Sequence, residues 1–425
     1  MTYQSMTEQQ LKEILSKQTA LYEKFCADGV KLDMARGKPA NDQLDLSEEL
    51  LTVVKTSEDC FENGTDSRNY GVLEGMPAAR KLFADLLGLN SENVVLYGSS
   101  SLTIMYDTVA KMLLFGNCDS ERPWCQEKEI KFLCPSPGYD RHFSICQSFG
   151  IKMIPVPMND NGPDMEIVRQ YVNNDSSVKG IWCVPKYSNP TGIVYSDEVV
   201  KEFAALKPAA KDFRIFWDNA YAVHDFYENI KLLNIIDECE KAGNPNMPIM
   251  FASTSKITYP GAGIALFASS IENVNFIKKL LAIQSINSDK VNQQRHVAFF
   301  KTAEGVLEHM KLHAKILAPK FEAVVDAFES ELSGLGIATW TNPKGGYFIS
   351  FDSTLGVAKE IYDLCLNAGL TLTNVGDTFP YGKDPDNTNI RIAPSLPPVE
   401  QLKAAVERFI VCVKIASINK ILSQR

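Results

Sequence analysis

The stretch Met250-Phe-Ala-Ser-Thr-Ser-Lys-Ile-Thr-Tyr-Pro-Gly261 sets a lysine just beyond a buried strand. Pro248 to Ala252 is a short apolar run of strand character, and Lys256 follows among small hydroxyl residues before a Pro/Gly turn. Solvated lysines usually ride helix faces, so one at the carboxyl end of a core strand points to chemistry. An amine held there can form a Schiff base with a carbonyl. An ordinary strand-end lysine is the alternative reading of this stretch alone.

Two upstream runs bear on the choice. Arg214 to Trp217 reads as a second apolar strand and delivers Asp218-Asn-Ala-Tyr221 at its carboxyl end. Lys179 to Val184 reads as a third and leads into Tyr187-Ser-Asn-Pro-Thr-Gly192. Open α/β sheets bind ligands at that edge. A pyridine ring that serves as an electron sink needs a protonated ring nitrogen, which a buried carboxylate such as Asp218 stabilises. Its phenolic oxygen needs donors, and Asn189 and Tyr221 are of the right type. Taken singly, Asp218 could cap a helix and Asn189-Pro190 could start a turn. Together, in this order, they point to pyridoxal 5'-phosphate.

With these segments the chain resembles the fold-type I pyridoxal-phosphate enzymes, and among them the class I aminotransferases. The motifs are Asn189-Pro-Thr-Gly192, Asp218-Asn-Ala-Tyr221, Ser253-Thr-Ser-Lys256, Lys344-Gly-Gly-Tyr-Phe348 and Asn389-Ile-Arg-Ile-Ala-Pro394. The likeness runs from about Leu32 to the C-terminus. Ala35-Arg-Gly-Lys-Pro39, Pro137-Gly-Tyr-Asp-Arg-His142 and Asp289-Lys-Val-Asn-Gln-Gln-Arg-His296 resemble more narrowly a bacterial aspartate aminotransferase subgroup. The resemblance implies a homodimer in which Lys256 carries the cofactor, with Asp218 and Tyr221 as its catalytic partners. It also implies Arg391 on the α-carboxylate with Asn189 assisting, and Tyr139 stacked on the pyridine face.

Composition narrows the classes of function. An acidic chain of net charge −9 argues against nucleic acid as a partner, so local arginines or lysines must capture any anionic substrate. No apolar run reaches membrane-spanning length, and the first ten residues lack signal-peptide character, so a cytoplasmic protein is expected. The ten cysteines lack CxxC spacing and read as buried free thiols.

Strand–helix alternation from Val94 to about Ser270 predicts βαβ units and a mainly parallel sheet. After about Lys301 a long helix (Thr302 to Ser333), short strands and a final helix (Glu400 to Leu422) predict a smaller α+β domain. The expected division is an N-terminal segment (1–50) packed on the small domain, a large cofactor-binding domain (51–300) and a small C-terminal domain (301–425), with the site in the cleft.

Gly98-Ser-Ser-Ser101, between a strand and a helix, offers Ser99, Ser100 and Ser101 to a phosphate; a serine cap is the plainer alternative. By resemblance, Ser253 joins them, and Tyr70 reaches a neighbouring subunit's phosphate. Related enzymes usually carry an arginine seven or eight residues after the lysine, whereas Pro260-Gly-Ala-Gly-Ile264 has no basic residue. Arg36 and Gly37 lie in a loop that in the family closes over substrate, and Lys290 stands at the spacing of a side-chain carboxylate binder. Either cation could instead form a structural ion pair. His309 and His313 lie four apart on a predicted helix, without a third ligand, and read as a solvated face with no metal. The expected reaction is aspartate with 2-oxoglutarate, an amino acid and a 2-oxo acid. The alternatives are another amino acid, a lyase or decarboxylase reaction, or a non-enzymatic cofactor sensor.

Overall fold

The computed structural model describes residues 2–62 and 64–425. Eight strands form one sheet: β1 (Val94–Leu96), β2 (Lys131–Ser136), β3 (Lys152–Asn159), β4 (Gly162–Pro163), β5 (Val178–Cys183), β6 (Arg214–Asp218), β7 (Pro248–Ser253) and β8 (Ala265–Ala268). Their spatial order is β1-β8-β7-β6-β5-β2-β3-β4. The run β7-β6-β5-β2-β3 is parallel, β8 is antiparallel to both its neighbours, and β4 is antiparallel to β3. Every residue of β5 and β6 is buried, as expected of strands covered on both faces. Their two cations sit at the amino ends. There Lys179 donates to Asp212 at 2.7 Å and Arg214 to Asp119 at 2.6 Å, so neither cation is left unpaired.

The helices that position the site are α1 (Glu8–Ala27), α2 (Asn41–Asp45), α3 (Pro77–Leu87), α4 (Ser101–Phe115), α5 (Asp140–Ser148), α6 (Lys290–Phe300), α7 (Ala303–Leu332) and α8 (Val399–Ser423). Their ends follow local chemistry. Thr7 and Gln10 form a capping box at α1, and Pro77 opens α3, which ends at Gly88 with φ +66°. Among the described residues no helix is long and apolar enough to cross a membrane. Ten free cysteines are present; seven are buried, Cys118 is half-buried, and Cys26 and Cys125 are exposed.

A second, antiparallel sheet of β9 (Ala338–Trp340), β10 (Ile349–Ser353) and β11 (Asn389–Ile392) packs against α7 and α8. Phe321, Val324, Phe328, Phe351, Ile390 and Phe409 lie in its core. The N-terminal helix α1 lies along α8, where Arg408 donates to Asp28 at 2.5 Å and to the Ala368 carbonyl at 2.6 Å. The short strand Leu370–Thr371 pairs in parallel with Leu32–Asp33, which ties the N-terminal stretch to this part of the chain.

The turn Lys344-Gly-Gly-Tyr-Phe348 fixes the second sheet against the first. Phe226 N–H donates to the Lys344 carbonyl at 2.9 Å, and Gly346 N–H to the His224 carbonyl at 3.0 Å. A Cβ at Gly345 would stand 2.3 Å from the His224 carbonyl and 2.4 Å from the Tyr187 ring, so no side chain fits there. Gly345→Ala is expected to destabilise the protein by about 1–3 kcal/mol in chemical denaturation. An unchanged midpoint would mean that this turn can withdraw freely.

Candidate active site

β2 connects outward to β3, while β5 leads the other way to β6 and β7. The carboxyl ends of adjacent β2 and β5 therefore flank a topological switch point, where open sheets form a crevice. Tyr139 follows β2, Asn189 follows β5, Asp218 ends β6, Lys256 follows β7, and Gly98 to Ser101 follow β1.

Asp218 is the buried centre of this edge. Its Oδ2 lies 3.0 Å from His142 Nε2, and the His142 ring stacks on Trp182 at 4.4 Å and 9°. A carboxylate only accepts, so His142 donates from Nε2. The other oxygen, Oδ1, is buried with no hydrogen-bond partner among the described residues. A buried carboxylate oxygen without a donor is costly, and a protonated ring nitrogen is the kind of donor that would satisfy it. The residues present thus fit a pyridinium cofactor. His142 had no visible partner in the sequence, because Asp218 lies 76 residues away.

The Lys256 amine stands 4.8 Å from the Tyr221 ring centre and 5.8 Å from that of Tyr347. Burial lowers its pKa, with Asp218 acting in the opposite sense, so the neutral nucleophilic amine is favoured relative to a lysine in water. Burial raises the Tyr139 and Tyr221 phenols, which therefore remain neutral donors. The Tyr139 ring meets His142 edge-on at 5.0 Å.

On the second sheet, Arg391 donates from Nη1 to Asp140 Oδ1 at 3.0 Å and to Asn189 Oδ1 at 3.3 Å. Its guanidinium lies 4.8 Å over the Phe348 ring. Gly37 packs beneath that same ring, where a Cβ would come within 2.3 Å of Phe348 Cζ. Thr373 Oγ1 accepts from Arg391 Nε at 3.3 Å and donates to the Ala35 carbonyl at 2.9 Å. The 35–37 loop is thereby held beside Arg391, with the Arg36 side chain exposed.

Gly98 has φ +74°, and Ser100 caps α4 by accepting from Thr103 N–H at 3.3 Å. Ser253 Oγ donates to Ser255 Oγ at 3.0 Å, and a Cβ on Gly263 would lie 2.4 Å from the Ser99 carbonyl and 3.4 Å from Ser255 Oγ. Ser99, Ser255 and the Gly263 main chain are thus packed together. No side chain fits at Gly263, and Ile264 is buried. In the sequence Ser255 stands only as part of the lysine motif, and its contact to Ser253 is not legible there.

Residues 6–425 match the family described as aspartate amino-transferase. The chain belongs to that family. It is accordingly an aminotransferase. An aspartate aminotransferase of Corynebacterium glutamicum is 46% identical over 397 residues, covering 93% of this chain and 92% of the relative. A crystal structure of an aspartate transaminase from C. glutamicum superposes with a TM-score of 0.96 at 43% identity, over 99% of both chains. An α-aminoadipate aminotransferase from Thermus thermophilus, solved with N-(5'-phosphopyridoxyl)-L-leucine, shares the fold with a TM-score of 0.74 at 19% identity over 96% of both chains.

In this family member Lys290 turns its ammonium toward main-chain carbonyls. It is buried, and its ammonium donates to the Asn69 carbonyl and, at 2.8 Å, to the Gly71 carbonyl. It thus grips both sides of Tyr70, whose side chain is 78% exposed.

The histidines of α7 require a correction. His309 and His313 are buried, because the face they share packs on the turn that carries Lys256. Ile257 O lies 2.9 Å from His309 Nε2 and 3.0 Å from His313 Nε2, and Lys256 O lies 3.2 Å from His224 Nε2. Carbonyls only accept, so these nitrogens carry the protons. His313 Nδ1 in turn accepts from the Gln43 amide at 3.1 Å, which also donates to the Tyr347 hydroxyl at 2.9 Å. Among the described residues no His, Cys, Asp and Glu cluster could hold a metal.

Burial holds His296 and His313 at about 4, below their ordinary 6.5. The unfolded chain therefore binds more protons between those values. Stability contributed by the neutral imidazoles is present above about pH 6.5 and is lost as the pH falls toward about 4. Unfolding free energy should decline across that window, and His313→Gln should flatten the decline. An equal slope in the variant would show that His313 titrates normally in the fold.

Proposed function

We propose that the protein is a homodimeric pyridoxal-phosphate aminotransferase that passes the amino group of aspartate to 2-oxoglutarate. The observation that carries this reading is the unpartnered Asp218 oxygen at the sheet edge where Lys256 also stands. Pyridoxal phosphate, when bound, supplies a carbonyl for the amino group and a ring that takes up the electrons of the broken α-carbon–hydrogen bond.

In this reading the chain's residues hold and move protons around that ring. Lys256 takes the proton from the substrate α-carbon and returns it, as base and then acid, a role its lowered pKa favours. Asp218 keeps the ring nitrogen protonated, and His142 fixes the carboxylate by occupying its other oxygen. Asn189 and Tyr221 donate to the phenolic oxygen, and Tyr139 covers the ring face. Ser99, Ser100, Ser101 and Ser253 hold the phosphate together with Tyr70 of the partner subunit. Arg391 grips the α-carboxylate in the cleft between a 51–300 domain and a 301–425 domain, with 1–50 packed on the smaller.

The distal carboxylate is assigned to Arg36, next to Gly37, whose exposed planar fork is free to close on a carboxylate. Lys290 is the weaker candidate, because main-chain carbonyls already engage its ammonium. The 46%-identical C. glutamicum relative is named an aspartate aminotransferase, which supports the same substrate.

The test is kcat/KM for aspartate, glutamate, alanine and phenylalanine. Aspartate should exceed alanine by roughly a hundredfold or more, since a charge-assisted contact contributes a few kcal/mol. Arg36→Ala should erase that preference. A wild type that favours alanine, or an Arg36→Ala variant that keeps the preference, would refute the dicarboxylate pocket. Release of ammonia or carbon dioxide, with no amino group passed to 2-oxoglutarate, would move the reading to a lyase or decarboxylase.

A further inference from the structure

We infer that Asp140 is a built-in competitor for the substrate's α-carboxylate: it holds one terminal nitrogen of Arg391 and gives it up when a substrate binds. The inference rests on the reading that Arg391 grips that carboxylate.

The donors of Arg391 can be counted. A guanidinium has five N–H groups, one on Nε and two on each terminal nitrogen. Asp140 Oδ1 at 3.0 Å and Asn189 Oδ1 at 3.3 Å take the two on Nη1, and Thr373 Oγ1 at 3.3 Å takes the one on Nε. Nη2 alone has no acceptor among the described residues. A carboxylate held by two parallel bonds needs two neighbouring nitrogens, either Nη1 with Nη2 or Nε with Nη2. One of the present acceptors must therefore leave.

Asp140 is the one that the surroundings make easiest to displace. It is the only anion among the three acceptors, so an arriving carboxylate repels it and repels neither Asn189 nor Thr373. Asn189 is buried, and Thr373 is tied by its own donation to the Ala35 carbonyl at 2.9 Å. The Asp140 side chain, by contrast, is 28% exposed, and its second oxygen already faces Arg141 Nε at 3.7 Å. Water and a second cation are ready to receive it. As the first residue of α5 it also remains favoured by the helix N-terminus after it lets go. Asp377 adds to the crowding: burial, then Asp140, raise its carboxyl pKa while Arg391 and Arg141 act against the rise.

The exchange of one carboxylate for another keeps Arg391 paired throughout turnover, so no bare cation is left in a largely buried position. It also weakens every carboxylate ligand by a common amount. The oxo acid product is then expelled by the same exchange that admitted the amino acid. Such a device acts on affinity, and its signature belongs in KM.

The experiment uses the cofactor-loaded enzyme and measures succinate binding by calorimetry, beside KM and kcat for aspartate and 2-oxoglutarate. Asp140→Asn keeps the shape and removes the charge; Asp140→Ser serves as a second variant, and thermal unfolding confirms that each is folded. Both should bind succinate about five- to tenfold more tightly. Both KM values should fall in parallel, and by more than kcat changes. Unchanged or weaker succinate binding in the Asp140 variants would show that Asp140 supports the grip and would overturn the proposal. Arg391→Ala should abolish succinate binding. If it does not, the assignment of Arg391 itself is wrong and the proposal falls with it, an outcome separable from failure of the Asp140 variants alone.

Discussion

A single buried carboxylate organises the site. Asp218 ends a strand whose every residue is buried, with one oxygen on His142 and the other with no partner among the described residues. A charge in such a place persists only when it is paired. His142 cannot turn away to relieve it, because its ring is stacked on Trp182. The unpaired oxygen is therefore held in direction as well as in place, toward whatever donor occupies the crevice. Asp218 also acts on Lys256, partly offsetting the effect of burial on the amine. One group thus bears on both the ring nitrogen and the base in the proposed reaction.

The second sheet supplies the substrate side, and glycines bring it into place. Gly345 and Gly346 let the turn that carries Tyr347 and Phe348 press against Tyr187 and His224. Phe348 then lies over Gly37 and beneath Arg391, joining three distant stretches of chain around one ring. Below Lys256 the donors come from imidazoles. The carbonyls of Lys256 and Ile257 are met by His224, His309 and His313, all kept neutral chiefly by burial. A neutral imidazole donates without adding positive charge beside an amine that must shed its proton.

Much of this was legible because strand ends are local features. Lys256, Asp218 and Asn189 stand where apolar runs stop, and a parallel sheet carries successive strand ends to one edge. What failed to show was direction. The four-residue spacing of His309 and His313 puts them on one face of a helix but says nothing of what covers that face, and the Lys256 turn covers it. Lys290 was placed by its distance along the chain from Lys256, whereas the carbonyls of Asn69 and Gly71 decide where its ammonium points. His142, on α5, escaped notice because its partner comes from the end of a strand far along the chain. The absence of an arginine after Lys256 was plain in the sequence, but the close approach of the Ser99 carbonyl to Gly263 was not.

The central claim is that the free oxygen of Asp218 meets a protonated ring nitrogen. It is tested most directly by nitrogen-15 NMR of the protein reconstituted with ring-labelled pyridoxal phosphate. A pyridinium resonance in the wild type, lost to a neutral-pyridine resonance in Asp218→Asn, is the predicted result. A neutral pyridine nitrogen in the wild type would contradict the account.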